Sequence, residues 1–222
     1  MKKQQLLKIA FLCIALLIVF SFTNRKQNVL IIGDSISIGY TPFVKKDLEK
    51  KAQVFHNPGN AQHTGVGLNK VKEWIGDTNW DVIQFNWGLW DLCYRSPESK
   101  VQGNRDKING IITNSVDVYV ANLDSIVTIL KQETNAKLIF VTSTFIPEDE
   151  EGRFYEDAMV YNDGAIEVMK KHDVYVNDIY AKSAKIHRKH GMGSNNVHYT
   201  KEGYQELSNE IVIYLKKILR KR

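Results

Sequence analysis

A serine at the end of an apolar run is the first residue of this sequence whose position suits chemistry. Residues 29–32 are apolar and lead directly into Gly33, Asp34 and Ser35. Glycine permits a sharp turn, so Ser35 is expected at the carboxyl end of a strand, where a helix begins with unpaired backbone N–H groups. Such groups can stabilise developing negative charge. The pattern predicts either a nucleophilic serine or an Asp/Ser cap on the next helix.

A histidine near the C-terminus could act as the base for this serine. His198 stands just before Thr200, which has the residue type of a helix N-cap, and it follows the last predicted strand. In a parallel sheet this position returns to the edge that carries Ser35. A serine needs a nearby base during attack, and the pKa of histidine suits that role. His187 and His190 share the segment 180–200 without an aligned partner, and we expect them to be solvated.

Apolar runs alternate with amphipathic segments, and this alternation predicts the elements that position the two residues. It indicates an α/β fold with a mostly parallel sheet, helices on both faces, and a site beyond the carboxyl ends of the strands. The segments 92–115 and 180–200 lack this periodicity and are predicted loops. The first is expected to form a mobile rim from which Arg95 and Arg105 contact the substrate. The predicted strands are 29–32, 54–55, 82–85, 138–141 and 174–176, and the predicted helices are 42–51, 68–75, 116–133, 155–172 and 201–220.

Composition excludes several classes of protein. The 222 residues are 43% apolar and 25% charged, which argues against collagen-like, disordered and disulfide-scaffold chains. The net charge of +5 falls to +2 without the three lysines of the first 24 residues, which is too weak to indicate nucleic-acid binding. Beyond those residues Cys93 is the one cysteine, so no internal disulfide is expected.

The N-terminus is typical of an export signal. A basic start precedes the 14 residues 9–22, which are apolar apart from Ser21. A bilayer crossing takes about 20 residues, whereas a signal peptide needs fewer. We therefore predict a signal peptide or an uncleaved membrane anchor over residues 1–24, with the folded domain over 25–222. The protein is expected to be exported: periplasmic, extracellular, or membrane-anchored and facing outward.

Four sequence blocks in this order resemble those of the SGNH, or GDSL-type, hydrolases over nearly the whole chain after residue 27. They are Gly-Asp-Ser-Ile at 33–36, the glycine-bearing segment 57–67, Gly-Leu-Trp-Asp at 88–91, and the histidine block within 197–204. Residues 85–92 further resemble an often exported bacterial subgroup associated with carbohydrate esters. The resemblance implies a three-layer α/β/α, flavodoxin-like fold with a five-stranded sheet, and ester hydrolysis through an acyl-enzyme without a cofactor. His56 precedes the second block and His63 lies within it, but no cysteine or carboxylate completes a metal site.

One departure from the family pattern concerns the oxyanion hole. The third block of the family has Asn where this chain has Trp90, and that Asn donates to the oxyanion. The resemblance therefore implies a hole formed by the N–H groups of Ser35 and of a glycine in 57–67, for which we favour Gly65. The indole N–H of Trp90 or the side chain of Asn86 could be the remaining donor. Alternatively, both side chains pack beneath the edge of the sheet.

A second departure concerns the catalytic acid. The family has Asp two or three residues before the histidine, whereas this chain has Asn195 and Asn196. An amide can hold the imidazole ring but brings no charge to stabilise the imidazolium. Asp178, after the last predicted strand, is a distant alternative whose other expected role is to cap the following turn.

The sequence thus predicts a serine esterase with a Ser35–His198 dyad that hydrolyses an O-acyl ester, most simply acetyl, on a small-molecule or polysaccharide substrate. A lipid or thioester hydrolase that uses the same residues is one alternative. The other is a catalytically weak descendant that binds glycans, which the missing acid supports. No nucleic-acid partner is expected, and membrane contact is expected only through an uncleaved anchor.

Overall fold

The computed structural model describes residues 25–220, so the predicted signal peptide or anchor lies outside the described residues. No helix within 25–220 is long and apolar enough to cross a membrane. The strands are β1 (Gln27–Ile32), β2 (Ala52–His56), β3 (Val82–Phe85), β4 (Tyr94–Arg95), β5 (Ile111–Ile112), β6 (Lys137–Val141) and β7 (Tyr175–Asn177). The helices are α1 (Ser35–Leu48), α2 (Thr64–Ile75), α3 (Val116–Glu133), α4 (Asp157–Lys171), α5 (Tyr180–His190) and α6 (Lys201–Leu219).

Five strands form one parallel sheet in the order β2–β1–β3–β6–β7. This is the flavodoxin-like strand order, and it confirms the predicted five-stranded α/β architecture. The chain first runs from β1 to β2 on one side and then returns past β1 to β3. Ligands of such sheets bind beside this reversal, beyond the carboxyl ends of β1 and β3. The fold therefore brings together the loops that follow β1 and β3.

Helices cover both faces of the sheet. Right-handed crossovers that run in opposite directions along a sheet place their helices on opposite faces, so α1 and α2 lie on different sides. On one side α1 packs against α6, which also contacts α5, and on the other α3 packs against both α2 and α4. Residues 29–32 and 82–85 of the central strands are buried, as their apolar runs predict, and Gln84 is the one polar residue among them.

Helix α1 begins at Ser35, so the prediction of a helix over residues 42–51 is wrong at both ends. Pro42 lies inside the helix, and the side chain of Asp34 caps it by accepting the N–H of Ile36. The first turns bury small or polar residues such as Ser37 and Thr41 on the inner face. Buried apolar residues nevertheless recur at every fourth position from residue 36 to residue 48, but Pro42, a residue type common at helix starts, predicts a later beginning.

The segment 180–200 is not a single loop, because its first half forms α5. The inner face of α5 buries Ser183, Ile186 and His187, of which only Ile186 is apolar, so the helical period is weak in the sequence. The prediction that His187 is solvated is wrong. Its Nε2 atom lies 2.7 Å from the carbonyl oxygen of Asn196, and its ring packs edge-on against Tyr199. The partly exposed His190 lies 3.4 Å from a carboxylate oxygen of Glu206.

Residues 92–115, which we call the rim segment, contain a small antiparallel ladder formed by β4 and β5. The N–H of Tyr94 donates to the carbonyl oxygen of Gly152 at 2.7 Å, and the N–H of Asp106 donates to that of Tyr94 at 3.1 Å. These bonds hold the rim segment both to itself and to the loop after β6. They favour a fixed rim rather than the mobile one that the sequence suggests.

Candidate active site

Ser35 lies at the first residue of α1, directly beyond the carboxyl end of β1. The N–H of Gly33 donates to the side-chain oxygen of Asn57 at 2.9 Å, which ties the turn to the loop after β2. The buried Asp34 caps the helix by accepting the N–H of Ile36 at 2.9 Å. The cap and the partly buried serine are therefore adjacent residues of one turn. The N–H of Ser35 has no preceding helical turn to bond with and can serve as an oxyanion donor.

His198 is held by the segment that connects α5 to α6. The N–H of Met192 donates to the carbonyl oxygen of His198 at 3.0 Å, and the N–H of Thr200 donates to that of His190 at 2.8 Å. Thr200 then caps α6, as its residue type predicts. The segment places the Nε2 atom of His198 2.9 Å from the Oγ atom of Ser35. The two predicted residues thus form a hydrogen-bonded pair across 163 positions of sequence.

Asn196 determines which imidazole nitrogen of His198 carries the proton. Its side-chain oxygen accepts the backbone N–H of His198 at 3.0 Å, which identifies that atom as the acceptor of the amide. The same oxygen lies 2.7 Å from the Nδ1 atom of His198. Because an oxygen can only accept, the proton of the neutral ring must be on Nδ1. The Nε2 atom is then unprotonated and can accept the hydroxyl proton of Ser35.

The other candidates for the third member lie elsewhere. Asn195 is exposed. Asp178 accepts the hydroxyl of Thr142 at 3.0 Å and the N–H of Tyr180 at 3.1 Å. It therefore caps the turn that leads into α5, as its second expected role predicts, and it is not the partner of His198.

Burial and nearby positive charge lower the pKa of His198. Desolvation is the largest cause, followed by the positive charges of Arg153 and Arg105, and Glu150 opposes them weakly. A lowered pKa keeps the imidazole neutral, and thus able to act as a base, further into the acidic range.

A cavity of about 300 Å³ opens beside the Ser35–His198 pair. It brings together most of the residues singled out in the sequence, since Trp90, Arg95 and Arg105 all line it. A volume of this order lies at the lower end of the range for ligand sites. The lining residues are Asp34, Ser35, Asn60, Leu89, Trp90, Arg95, Gln102, Gly103, Arg105, Arg153, Asn196, Val197 and His198.

Two of the expected oxyanion donors do not line this cavity. Gly65 lies inside α2, beside the ring of His63. The side-chain N–H of Asn86 donates to the carbonyl oxygen of Val141 at 2.7 Å, and the residue is buried beneath the edge of the sheet. This packing agrees with the alternative expectation for Asn86, that its side chain lies beneath the edge of the sheet. Neither Gly65 nor Asn86 therefore lines the cavity beside Ser35, and the side-chain N–H₂ group of Asn86 is engaged by Val141.

Asn60 is a cavity residue that sequence reasoning missed as a donor. Its side-chain oxygen accepts the N–H of Gln62 at 2.8 Å, which leaves its amide N–H₂ group to donate elsewhere. Gln62 has a positive φ of 52°, so the loop folds back sharply just before α2. Asn60 sits in a loop without periodicity, and only its place in the glycine-bearing block could have drawn attention to it.

Trp90 is positioned by a buried carboxylate and a glycine. Asp91 is fully buried and accepts the N–H of Thr64 at 3.0 Å and the side-chain N–H of Asn114 at 2.7 Å. Gly88 has a φ of 148°, and a side chain there would lie 2.1 Å from the hydroxyl oxygen of Ser143. The turn after β3 is thus fixed to the start of α2. Trp90 lies within this turn, between Gly88 and Asp91, which both have fixed surroundings.

Three arginines border the cavity. The fully buried Glu150 accepts from Arg105 at 2.6 Å and from Arg153 at 2.8 Å, so two guanidinium groups share one carboxylate. The Nε atom of Arg153 also donates to the carbonyl oxygen of Leu89 at 2.6 Å. Arg95 lies over the ring of Trp90, with 4.7 Å between its guanidinium carbon and the ring centroid.

A second serine–histidine pair lies close to the first but away from the cavity. The Oγ atom of Ser37 is 2.7 Å from the Nε2 atom of His56 and 2.7 Å from the carbonyl oxygen of Asp34. Ser37 is only 1% exposed, so a substrate cannot reach it in this conformation. Within residues 25–220 no cluster of three or more His, Cys, Asp or Glu side chains could hold a metal ion.

The fold and the site together define an α/β protein with a serine–histidine pair at the switch point of its sheet. Neither a protein-family model nor a curated protein matches the sequence. Comparison with solved structures finds chains of similar fold. The chain is similar to an acetyl xylan esterase, with 16% identity over 85% of this chain and 99% of that chain and a TM-score of 0.67.

Two further solved structures show the same likeness. A lipase/acylhydrolase from Enterococcus faecalis is 20% identical over 86% of this chain and 96% of that chain, with a TM-score of 0.66. A GDSL-like lipase from Bacteroides thetaiotaomicron is 16% identical over 86% and 88%, with a TM-score of 0.63. The chain has the fold of the GDSL-type acylhydrolases, which confirms the fold that the sequence blocks imply.

Proposed function

We propose that the protein is a serine esterase that removes an acetyl group from a carbohydrate through an acyl-enzyme on Ser35. The observation that carries the proposal is the 2.9 Å contact between the Oγ atom of Ser35 and the Nε2 atom of His198, with the proton of the ring fixed on the other nitrogen by Asn196. A nucleophile, a base and an orienting group are the parts that acyl transfer requires.

The first half of the reaction follows from this geometry. The Oγ atom of Ser35 attacks the ester carbonyl carbon, and its proton moves to the Nε2 atom of His198. The carbonyl oxygen becomes an oxyanion near the N–H of Ser35, and the amide of Asn60 and the indole N–H of Trp90 are the further donors that the cavity offers. When the intermediate collapses, the bond to the alcohol oxygen breaks and that oxygen takes the proton from His198.

Water completes the cycle on the same residues. It attacks the acetyl–serine ester while His198 accepts its proton, and the proton then returns to the Oγ atom of Ser35 as acetate leaves. Asn196 contacts His198 rather than the reacting atoms, so it is a positioning residue. It holds the base in the required tautomer but provides no charge to offset the imidazolium.

The small polar cavity and the similar solved structures support the acetyl carbohydrate ester over the alternatives. Two of those structures are described as an acetyl xylan esterase and a lipase/acylhydrolase, and xylan is a carbohydrate. A lipid or long-chain thioester needs an apolar channel, whereas arginines and amides line much of this cavity. A purely glycan-binding role would not require the fixed tautomer of His198. Export through residues 1–24 remains a prediction.

Hydrolysis of 4-nitrophenyl esters of increasing acyl length tests the proposal. We expect turnover of the acetate by the folded chain, a steep fall in kcat/KM beyond butyrate, and loss of turnover in Ser35→Ala. Ser125→Ala, on the outer face of α3, is the matched control and should retain activity. No acetate release from the aryl ester or from acetylated xylo-oligosaccharides would refute the esterase and favour the glycan-binding alternative. A preference for long chains would favour the lipid hydrolase.

A further inference from the structure

Arg95 differs from the other two arginines of the cavity in its partners. Its guanidinium donates to the carbonyl oxygen of Gly103 and lies over the ring of Trp90. Within the part of the chain that the structure describes, no carboxylate lies within ion-pair distance of it. The guanidinium therefore lines the cavity. The ring of Trp90 packs against its face, and the carbonyl oxygen of Gly103 accepts one of its N–H groups.

The remaining charges around the cavity do not offset it. Arg105 and Arg153 share the buried Glu150, and Arg105 has a second, longer contact of 3.8 Å with the exposed Glu151. Asp34 also lines the cavity, but its carboxylate caps α1, where it accepts the N–H of Ile36. Three guanidinium groups therefore border a small cavity. The fully buried carboxylate of Glu150 forms ion pairs with two of them, and within residues 25–220 Arg95 has no such partner.

Such an arrangement favours an anionic ligand. A guanidinium presents a planar fork of donors that matches a carboxylate or a phosphate, and Trp90 fixes the orientation of this one. Nearby positive charges also concentrate anionic substrates in a cleft. The acetyl group proposed above has no place for a charge, so the charge must lie on the alcohol part of the ester.

We propose that the natural substrate is an acetyl ester of an acidic carbohydrate and that Arg95 binds the negative group of its sugar. This inference rests on the esterase function proposed above and names the substrate class of the same site. Arg105 and Arg153 add to the positive field, but Glu150 already holds them. Arg95 is therefore the residue that determines specificity for charge.

Three matched substrates test the inference. They are methyl glucoside, methyl glucuronoside and methyl glucoside 6-phosphate, each acetylated on the same hydroxyl group, with acetate release as the readout. We expect kcat/KM to be about tenfold higher for at least one of the two anions than for the neutral sugar, the size of one charge-assisted hydrogen bond. The preference should shrink as salt is raised. Whichever anion is preferred identifies carboxylate or phosphate as the recognised group.

Substitution of the arginine localises the effect. Arg95→Gln should reduce the anionic-to-neutral ratio of kcat/KM to about one, and Arg95→Lys should retain part of the preference because it keeps the charge. Lys100→Gln removes an exposed charge from the same rim segment and should leave the ratio unchanged. Equal kcat/KM for all three sugars, or an unchanged ratio in Arg95→Gln, would overturn the inference.

The comparison of the three acetylated sugars with the wild-type enzyme tests the inference even if an arginine variant fails to fold. Parallel hydrolysis of 4-nitrophenyl acetate separates the two proposals. Turnover of the aryl ester without any charge preference would contradict only the acidic carbohydrate. No turnover of any ester would contradict the esterase itself.

Discussion

His198 is oriented by a neutral amide where a carboxylate is the usual partner in serine hydrolases. The oxygen of Asn196 accepts from both the backbone N–H and the Nδ1–H of His198, so one atom fixes the position of the ring and its tautomer. What the amide lacks is charge. The imidazolium that forms when Ser35 attacks is therefore stabilised less than it would be beside a carboxylate.

Restoring the charge should accelerate the reaction. In Asn196→Asp we expect kcat to rise by about tenfold, the equivalent of one pKa unit or 1.4 kcal/mol of stabilisation of the imidazolium. The pKa of His198 should rise at the same time, so the acid limb of the pH–rate profile should move to higher pH. A purely structural role of Asn196 would leave that limb in place.

Asn195→Asp is the matched control, because it adds the same charge to an exposed neighbour. It should leave kcat and the acid limb close to those of the wild type. A rise in kcat with Asn195→Asp, or none with Asn196→Asp, would contradict the assignment of the positioning residue.

Among single residues, the sequence predicted those whose residue type and position in the sequence are both distinctive. Ser35 follows an apolar strand through a Gly-Asp turn, and His198 precedes a helix cap, so both could be placed before the fold was known. Asn60 could not, since a donor in an irregular loop is recognised only from its three-dimensional position. Gly65 was favoured from its spacing, but the early start of α2 takes it into the helix.

The elements that the sequence predicted best are the buried strands. Residues 29–32 and 138–141 are continuous apolar runs, and residues 82–85 are apolar apart from Gln84, because both faces of a parallel sheet are covered. The start of α1 and the whole of α5 were misjudged. Pro42 indicates a later helix start, and the inner face of α5 contains serine and histidine with Ile186 as its one apolar residue. Packing decides these faces, and packing is not visible in a single sequence.

The contact between α2 and the loop after β3 gives a test at the scale of elements. A side chain at Gly67 would lie 2.5 Å from the ring of Trp87, which stacks on Trp74 and donates to the carbonyl oxygen of Ala61. Gly67→Ala should reduce the free energy of unfolding by about 1–3 kcal/mol through overpacking. Urea denaturation would measure it.

Gly65→Ala is the matched control in the same helix. Its new methyl group would meet only the ring of His63 at 3.1 Å, and the partly exposed ring can move. We expect stability equal to that of the wild type or greater by a few tenths of a kcal/mol, and retained esterase activity. Equal destabilisation by both substitutions would show that α2 does not pack as described.

The whole molecule sets the electrostatic environment of the base. The rim segment contributes Arg105, the loop after β6 contributes Arg153 and Glu150, and the body of the fold buries His198. All of these except Glu150 act in the same direction and lower the pKa of His198 from its ordinary value of 6.5. No property of the histidine block alone could have predicted this, because the charges come from distant parts of the chain.

The pH dependence of the reaction follows from this field. Protonation of the Nε2 atom removes the base, so kcat/KM should fall as the pH decreases, with an inflection below 6.5. Arg105→Gln removes one positive charge and should move the inflection towards higher pH, whereas Lys100→Gln, which lies outside the cavity, should not. A wild-type inflection above 6.5 would contradict the direction of the shift.

The central claim is that Ser35, activated by His198, is the nucleophile. The most direct measurement is covalent labelling with a fluorophosphonate, followed by mass spectrometry of the labelled peptide, because the buried pair of Ser37 and His56 provides an internal competitor only two residues away. The account predicts a single label on Ser35, abolished in Ser35→Ala and strongly slowed in His198→Ala. A label on Ser37, or an unchanged labelling rate in His198→Ala, would contradict it.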